Sequence, residues 1–154
     1  MSQDVDAAEL SRLVGKSLGA SQWFEIDQQR VNAFADVTLD HQFVHVDQER
    51  ASQTPFGGTI AHGFLTLSLL VHLCLDFIPK LKGTTLMVNY GFDKVRFVAP
   101  VRVGRRVRAH GQLKEAVERK PGQFLLNVAV DVEIEHEDKP ALVAEWLSLH
   151  IVAH

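Results

Sequence analysis

Two residues of opposite acid–base character stand five positions apart in this chain: Asp40 and His45, in the run Phe34-Ala35-Asp36-Val37-Thr38-Leu39-Asp40-His41-Gln42-Phe43-Val44-His45. A carboxylate and an imidazole at that spacing, beyond an amphipathic helical stretch, suit the holding and moving of protons. Downstream lies Phe56-Gly57-Gly58-Thr59-Ile60-Ala61-His62-Gly63, which opens into a strongly apolar helix. The first amides of a helix lack intrahelical partners and carry the positive end of its dipole. An acid/base pair near such amides suits protonation chemistry beside a polarised carbonyl.

Each of these residues also has a purely structural reading. Asp40 can cap the element after it, and His45 can be a satisfied loop histidine. His62 can orient the loop or cap the helix. His41 and His45 have the i, i+4 spacing of zinc ligands, but no Glu follows the first His and the segment reads as loop, so no metal is expected. Gly57-Gly58 lacks the Gly-x-x-x-x-Gly-Lys of a phosphate loop, which leaves flexibility or close chain approach. Ser68 has no Gly-x-Ser-x-Gly setting for a nucleophile.

The elements that position these residues follow from pattern. A chain of 154 residues suits one domain, here taken as 1–154, and folding buries roughly 68–70% of the unfolded surface at this length. Ala7 to Val14 reads as a short helix and Trp23 to Ile26 as a short strand. Asp27 fits an N-cap, flanked by Ile26 and Val31 at hydrophobic-staple positions. That helix ends near Thr38, which places Asp40 to His45 in a loop. Asp47 caps a short helix over Gln48 to Gln53, stopped before Pro55. From about 62 to 80 the pattern is apolar nearly all round, which predicts an enclosed central helix ended by Pro79 and Gly83. The period then changes to two. Strands are expected at Leu86 to Val98, Val101 to Val117, Phe124 to Ile134 and Leu142 to Val152. Turns at Lys120-Pro121-Gly122 and Asp138-Lys139-Pro140 make neighbouring strands antiparallel. The economical architecture is α+β: a curved antiparallel sheet wrapped around one long helix. Its long apolar edge invites a homodimer.

Composition narrows the function classes. A formal net charge of −3 gives no reason to expect nucleic-acid binding. Arg102, Arg105, Arg106 and Arg108 read as a solvated strand face, with an anionic ligand as the functional alternative. The longest apolar run, Phe64 to Ile78, is shorter than the ~20 residues of a membrane span. The acidic start, Met1 to Asp6, has no signal-peptide n-region. The single Cys74 reads as a small buried hydrophobe in a reducing compartment, and a cytoplasmic location is expected.

These residues resemble a known family. Asp40-His41-Gln42-Phe43-Val44-His45 is similar to the Asp-x-Asn-Pro-x-His signature of MaoC-like (R)-specific enoyl-CoA hydratases. Thr59-Ile60-Ala61-His62-Gly63-Phe64-Leu65 resembles that family's entry into its central helix. Tyr90-Gly91-Phe92-Asp93-Lys94-Val95-Arg96-Phe97 with Pro100 resembles its first long strand. The run from Phe34 to Leu70 is most similar to the nodulation protein N-like subgroup. The resemblance implies a dimeric hot-dog fold and an acyl-CoA thioester as ligand, and no cofactor is expected. It departs at Gln42-Phe43, where the family has Asn-Pro, and at Leu39, where the family usually has Gly.

The implied reaction is reversible hydration of a trans-2-enoyl-CoA to the (R)-3-hydroxyacyl-CoA. His45 is the water-activating base and Asp40 returns a proton to C2. The Gly63 N–H serves as oxyanion hole. Gln42 and His62 are expected to contact substrate. Lys94, Arg96 and Arg102 are candidates for the CoA phosphates, with plain surface solubility as the other reading. Leu67, Val71 and Leu75 line an acyl tunnel or fill the core. A non-catalytic acyl-thioester-binding protein and a hot-dog thioesterase are the competing functions.

Overall fold

The computed structural model describes residues 4–153. The chain opens with β1 (Asp4–Val5), α1 (Ala7–Leu13), β2 (Ser17–Ala20) and β3 (Phe24–Glu25). Then come α2 (Gln28–Thr38), α3 (Phe43–Val46) and α4 (Gln48–Ser52). The central helix is α5 (Gly63–Ser68) and α6 (Leu70–Cys74). The rest is β4 (Lys80–Leu81), β5 (Thr84–Phe97), β6 (Arg106–Lys120), β7 (Gln123–Ile134) and β8 (Leu142–Val152).

Side-chain caps start the early helices where the sequence puts them. Asp6 and Glu9 close a capping box on α1, each carboxylate accepting the other's backbone N–H at 2.8 Å. The Asp27 carboxylate accepts from Arg30 N at 2.8 Å and that of Asp47 from Arg50 N at 3.0 Å. Ile26 and Val31 are both buried beside the Asp27 cap, as a staple requires.

The main sheet has the order β2-β6-β7-β8-β5, with β3 also paired to β6, and every pairing in it is antiparallel. One face carries Val107, Ala109 and Leu113 of β6, Val128, Val130 and Val132 of β7, and Leu142, Ala144 and Trp146 of β8. Leu65, Leu70, Leu73 and Cys74 of the central helix belong to the same core. This is the α+β hot-dog arrangement. Cys74 is fully buried, and desolvation pushes its thiol pKa up to about 12, so it packs as an inert hydrophobe. At Gly111 of β6 the ring of Phe77 lies on the bare backbone, in space that any Cβ would overlap. Glycine there lets the end of the helix dock on the sheet.

Three expectations are corrected. The central helix does not run unbroken from 62 to 80: α5 and α6 meet at a break at Leu69, and helix ends at Cys74. Pro79 disfavours helical backbone at Ile78, and Lys80–Leu81 are taken up in parallel pairing with β1. Nor is that helix enclosed on most sides, because Phe64 (67% exposed), Val71 and Leu75 (53%) form one uncovered stripe. The strand expected from Val101 begins only at Arg106. Val101 and Val103 instead exchange hydrogen bonds with the 59–61 run, Ala61 N donating to Val101 O at 2.8 Å and Val103 N to Thr59 O at 3.0 Å. Gly104, with φ 91°, turns the chain into β6. Among the described residues no helix is long and apolar enough to cross a membrane.

Candidate active site

Leu39 ends α2 in the left-handed region, at φ 62° and ψ 21°. A side chain there costs about 1–2 kcal/mol that glycine would not. This explains why glycine suits the position in the resembling family. The side chain of Leu39 is 81% exposed, so no packing offsets the strain.

Beyond this turn the chain enters α3, so His45 lies in a one-turn helix and not in the expected loop. Its Nδ1–H donates to Ile60 O at 2.7 Å, which leaves Nε2 as the free acceptor. Gln28 Nε2 donates to His45 O at 2.7 Å and Ile60 N donates to Val44 O at 2.9 Å. Thr59 fastens the next layer: its hydroxyl donates to Gln28 Oε1 at 2.6 Å, and its N–H to Gln48 Oε1 at 3.0 Å. A Cβ at Gly58 would come within 3.0 Å of the Gln48 side-chain amide. Nothing in the local pattern around Gln28 or Gln48 marked them, because their partners are distant in sequence.

His62 binds the pieces together. Its Nε2–H donates to the backbone carbonyl of Asp40 at 2.9 Å and lies 3.9 Å from Asp40 Oδ2. Its ring stacks on His45 with centroids 3.8 Å apart and packs against Phe34 at 4.9 Å. Although it occupies the N-cap position of α5, its side chain makes no capping hydrogen bond, so the capping reading falls. Asp40, His45 and His62 each offer a ligand atom within 4.8 Å of the others. His45 Nδ1 and His62 Nε2 are each committed to a backbone carbonyl, Ile60 O and Asp40 O, which leaves one nitrogen on each ring. His41 turns away from the cluster to Asp36, at 2.8 Å.

The pKa of His45 is lowered, chiefly by burial and further by repulsion from His62, against the opposing pull of the Ile60 carbonyl and Asp40. The imidazole is therefore held neutral, the form a general base needs. His45 shares a cleft of about 310 Å³ with Gly63, Thr66, Phe97 and Pro100. That volume is at the low end of the roughly 300–1,000 Å³ of small-molecule sites. Gly63 opens α5 in the cleft wall, and a Cβ on it would meet the Phe97 ring at 3.0 Å. Asp40 sits beside His45 with its side chain 52% exposed. Gln42 is exposed, and its backbone N–H donates to Asp40 Oδ1 at 3.3 Å while its side chain caps nothing.

The basic candidates are dispersed. Arg106 and Arg108 pair with Glu135 and Glu133 across the sheet, and Arg108 lies over Trp23 at 4.4 Å, which supports the solvated-face reading. Arg96 donates to Val95 O at 2.7 Å. Lys94 lines a cavity with Glu145, and Arg102 another with Gln28, Gln48 and Thr59. Val71 and Leu75 lie on the exposed stripe rather than in the His45 cleft.

Comparison with known proteins fits this geometry. The family described as "MaoC like domain" matches residues 9–138. The chain belongs to the MaoC-like family. This MaoC-like chain is 48% identical over 147 residues to nodulation protein N of Rhizobium meliloti, covering 95% of this chain and 91% of that protein. It is 49% identical over 144 residues to 3-hydroxyacyl-thioester dehydratase Z of Mycobacterium tuberculosis, covering 94% and 95%. Among solved structures, the (R)-hydratase from A. caviae matches with a TM-score of 0.71 at 26% identity, covering 88% of this chain and 94% of that one. The domain thus sits among MaoC-like hydratases and dehydratases, in the nodulation protein N-like subgroup.

Proposed function

We propose that this MaoC-like domain reversibly hydrates a trans-2-enoyl-CoA to the (R)-3-hydroxyacyl-CoA. The observation that carries the reading is the tautomer imposed on His45: Nδ1–H is committed to Ile60 O, so Nε2 is the base beside the cleft that Gly63 also lines. Water attacks C3 and gives a proton to His45 Nε2. The π electrons move toward the thioester oxygen, where the Gly63 N–H meets the growing charge. Asp40, which offers an atom within 4.8 Å of one on His45, holds the water, receives from His45 the proton it took, and passes it to C2, so one water hydrogen ends on C2 and the other stays on the new hydroxyl. The relative named as a 3-hydroxyacyl-thioester dehydratase carries a name for the dehydration of a 3-hydroxyacyl thioester, the opposite direction of a hydration of this class.

Mixing the protein with crotonyl-CoA is expected to bleach the conjugated thioester absorbance. Tight acyl-CoA binding by calorimetry without turnover at any chain length overturns the reading in favour of a binding protein. Release of free thiol would instead mark a thioesterase.

The domain acts as a homodimer. Among the described residues β5 is an edge strand, paired only with β8, and it exposes Leu86, Val88, Tyr90 and Phe92. With the uncovered stripe Phe64, Val71 and Leu75, this leaves sheet edge and helix face open together, as a second copy would require. Light scattering is expected to give twice the chain mass, and Val88→Lys to shift it toward the monomer. A monomeric wild type excludes the dimer.

A further inference from the structure

We propose that His62 is a positioning residue that locks Asp40 and His45 into one acid/base unit. The kinetic part of this inference rests on the hydratase reading above. The ring is 2% exposed, and its Nδ1 is buried with no hydrogen-bond partner among the described residues. A buried unpaired acceptor is destabilising. If His62 only filled space, a phenylalanine of similar shape would avoid that penalty.

What the imidazole adds is the Nε2–H held at 2.9 Å from the Asp40 carbonyl. That bond fixes the main chain of Asp40 just after the strained turn at Leu39. The face of the same ring fixes His45 by stacking at 3.8 Å. One side chain therefore sets the distance between the acid and the base, and Gly63 follows it directly in sequence.

The arrangement also has a charge requirement. The titratable groups that face His62 are Asp40, from the loop after α2, and His45, from α3; α2 itself contributes the Phe34 ring. A charge on either imidazole opposes a charge on the other. His62 therefore helps to keep His45 available as a base.

Two variants test the inference. His62→Phe keeps a stacking ring and loses the donor, while His62→Gln restores an amide N–H at similar reach. With crotonyl-CoA, His62→Phe is expected to lower kcat about 10–100-fold, as misplaced catalytic groups do. KM is expected to stay nearly unchanged and His62→Gln to recover most of the rate. Independently of turnover, an NMR titration of His45 is expected to move to higher pH in His62→Gln, because the neighbouring imidazole is gone. Wild-type kcat in His62→Phe overturns the positioning role. Should His62→Phe fail to fold, the His62→Gln titration decides, and an unmoved His45 overturns the inference. A wild type without hydratase activity but with the shifted titration leaves the positioning role standing and removes the hydratase reading alone.

Discussion

Replacing Asp40 by Asn, or His45 by Ala, is expected to lower the enoyl-CoA hydration rate by about 10²–10⁴-fold while the chain stays folded. Asp40→Asn is the cleaner test. His62 holds Asp40 by its backbone carbonyl, which the substitution leaves in place. The asparagine oxygen can still accept from Gln42 N, as Asp40 Oδ1 does now. What disappears is the ionisable group that returns a proton to C2. His45→Ala removes the base and one face of the stack with His62, so it perturbs both chemistry and packing. Because the two side chains act on one water, the double variant is expected to lose far less than the product of the single losses. The pH dependence carries a sign. Burial lowers the His45 pKa, so the base is neutral to lower pH than a free histidine, and the acid limb of kcat/KM is expected below the ordinary value of 6.5. Wild-type rates in both folded variants would remove Asp40 and His45 from the mechanism.

Features set by neighbours in sequence were the legible ones. Asp27 and Asp47 cap the helices that their positions announce. The period-two pattern from Phe124 to Ile134 became β7 almost to its bounds. Gly63 does open a helix, and His45 lines the same cleft. Features set by long-range pairing were not legible. The alternation after Val101 looks like strand, yet Val101 and Val103 are claimed by the 59–61 run. The apolar pattern to Ile78 looks like helix, yet the pairing of Lys80–Leu81 with β1 and the constraint of Pro79 end it early. Gln28 reads as an ordinary polar residue in the first turn of α2, and only the fold brings its amide to His45 O. His62 reads as a loop-orienting or substrate-contacting residue, but only the fold names its two partners, in a different loop and helix.

Folding stability is expected to fall as pH drops from about 6.5 toward 4, because of a histidine outside the site. His150 of β8 faces the core beside Trp146 and Ser148 and is 0% exposed. Its Nε2 meets Ser148 Oγ at 3.0 Å, and its Nδ1 has no partner among the described residues. Burial penalises the charged ring and pushes its pKa down to about 4 from an ordinary 6.5. The unfolded chain therefore binds the proton first. The neutral ring's full contribution is present above pH 6.5 and is lost as pH falls toward 4, because protonation pulls the equilibrium to the unfolded state. At pH 4.5 the loss from this one group is about 2 kcal/mol, since each pKa unit is worth 1.36 kcal/mol. The depressed carboxylates Glu133 and Glu135 act in a separate window, losing their contribution only below their ordinary value of 4.5. Urea unfolding at pH 7 and 4.5 measures the difference. His150→Phe is expected to flatten the wild-type slope by about that amount, because the replacement cannot be protonated. An equal acid loss in wild type and variant would place the titrating group elsewhere.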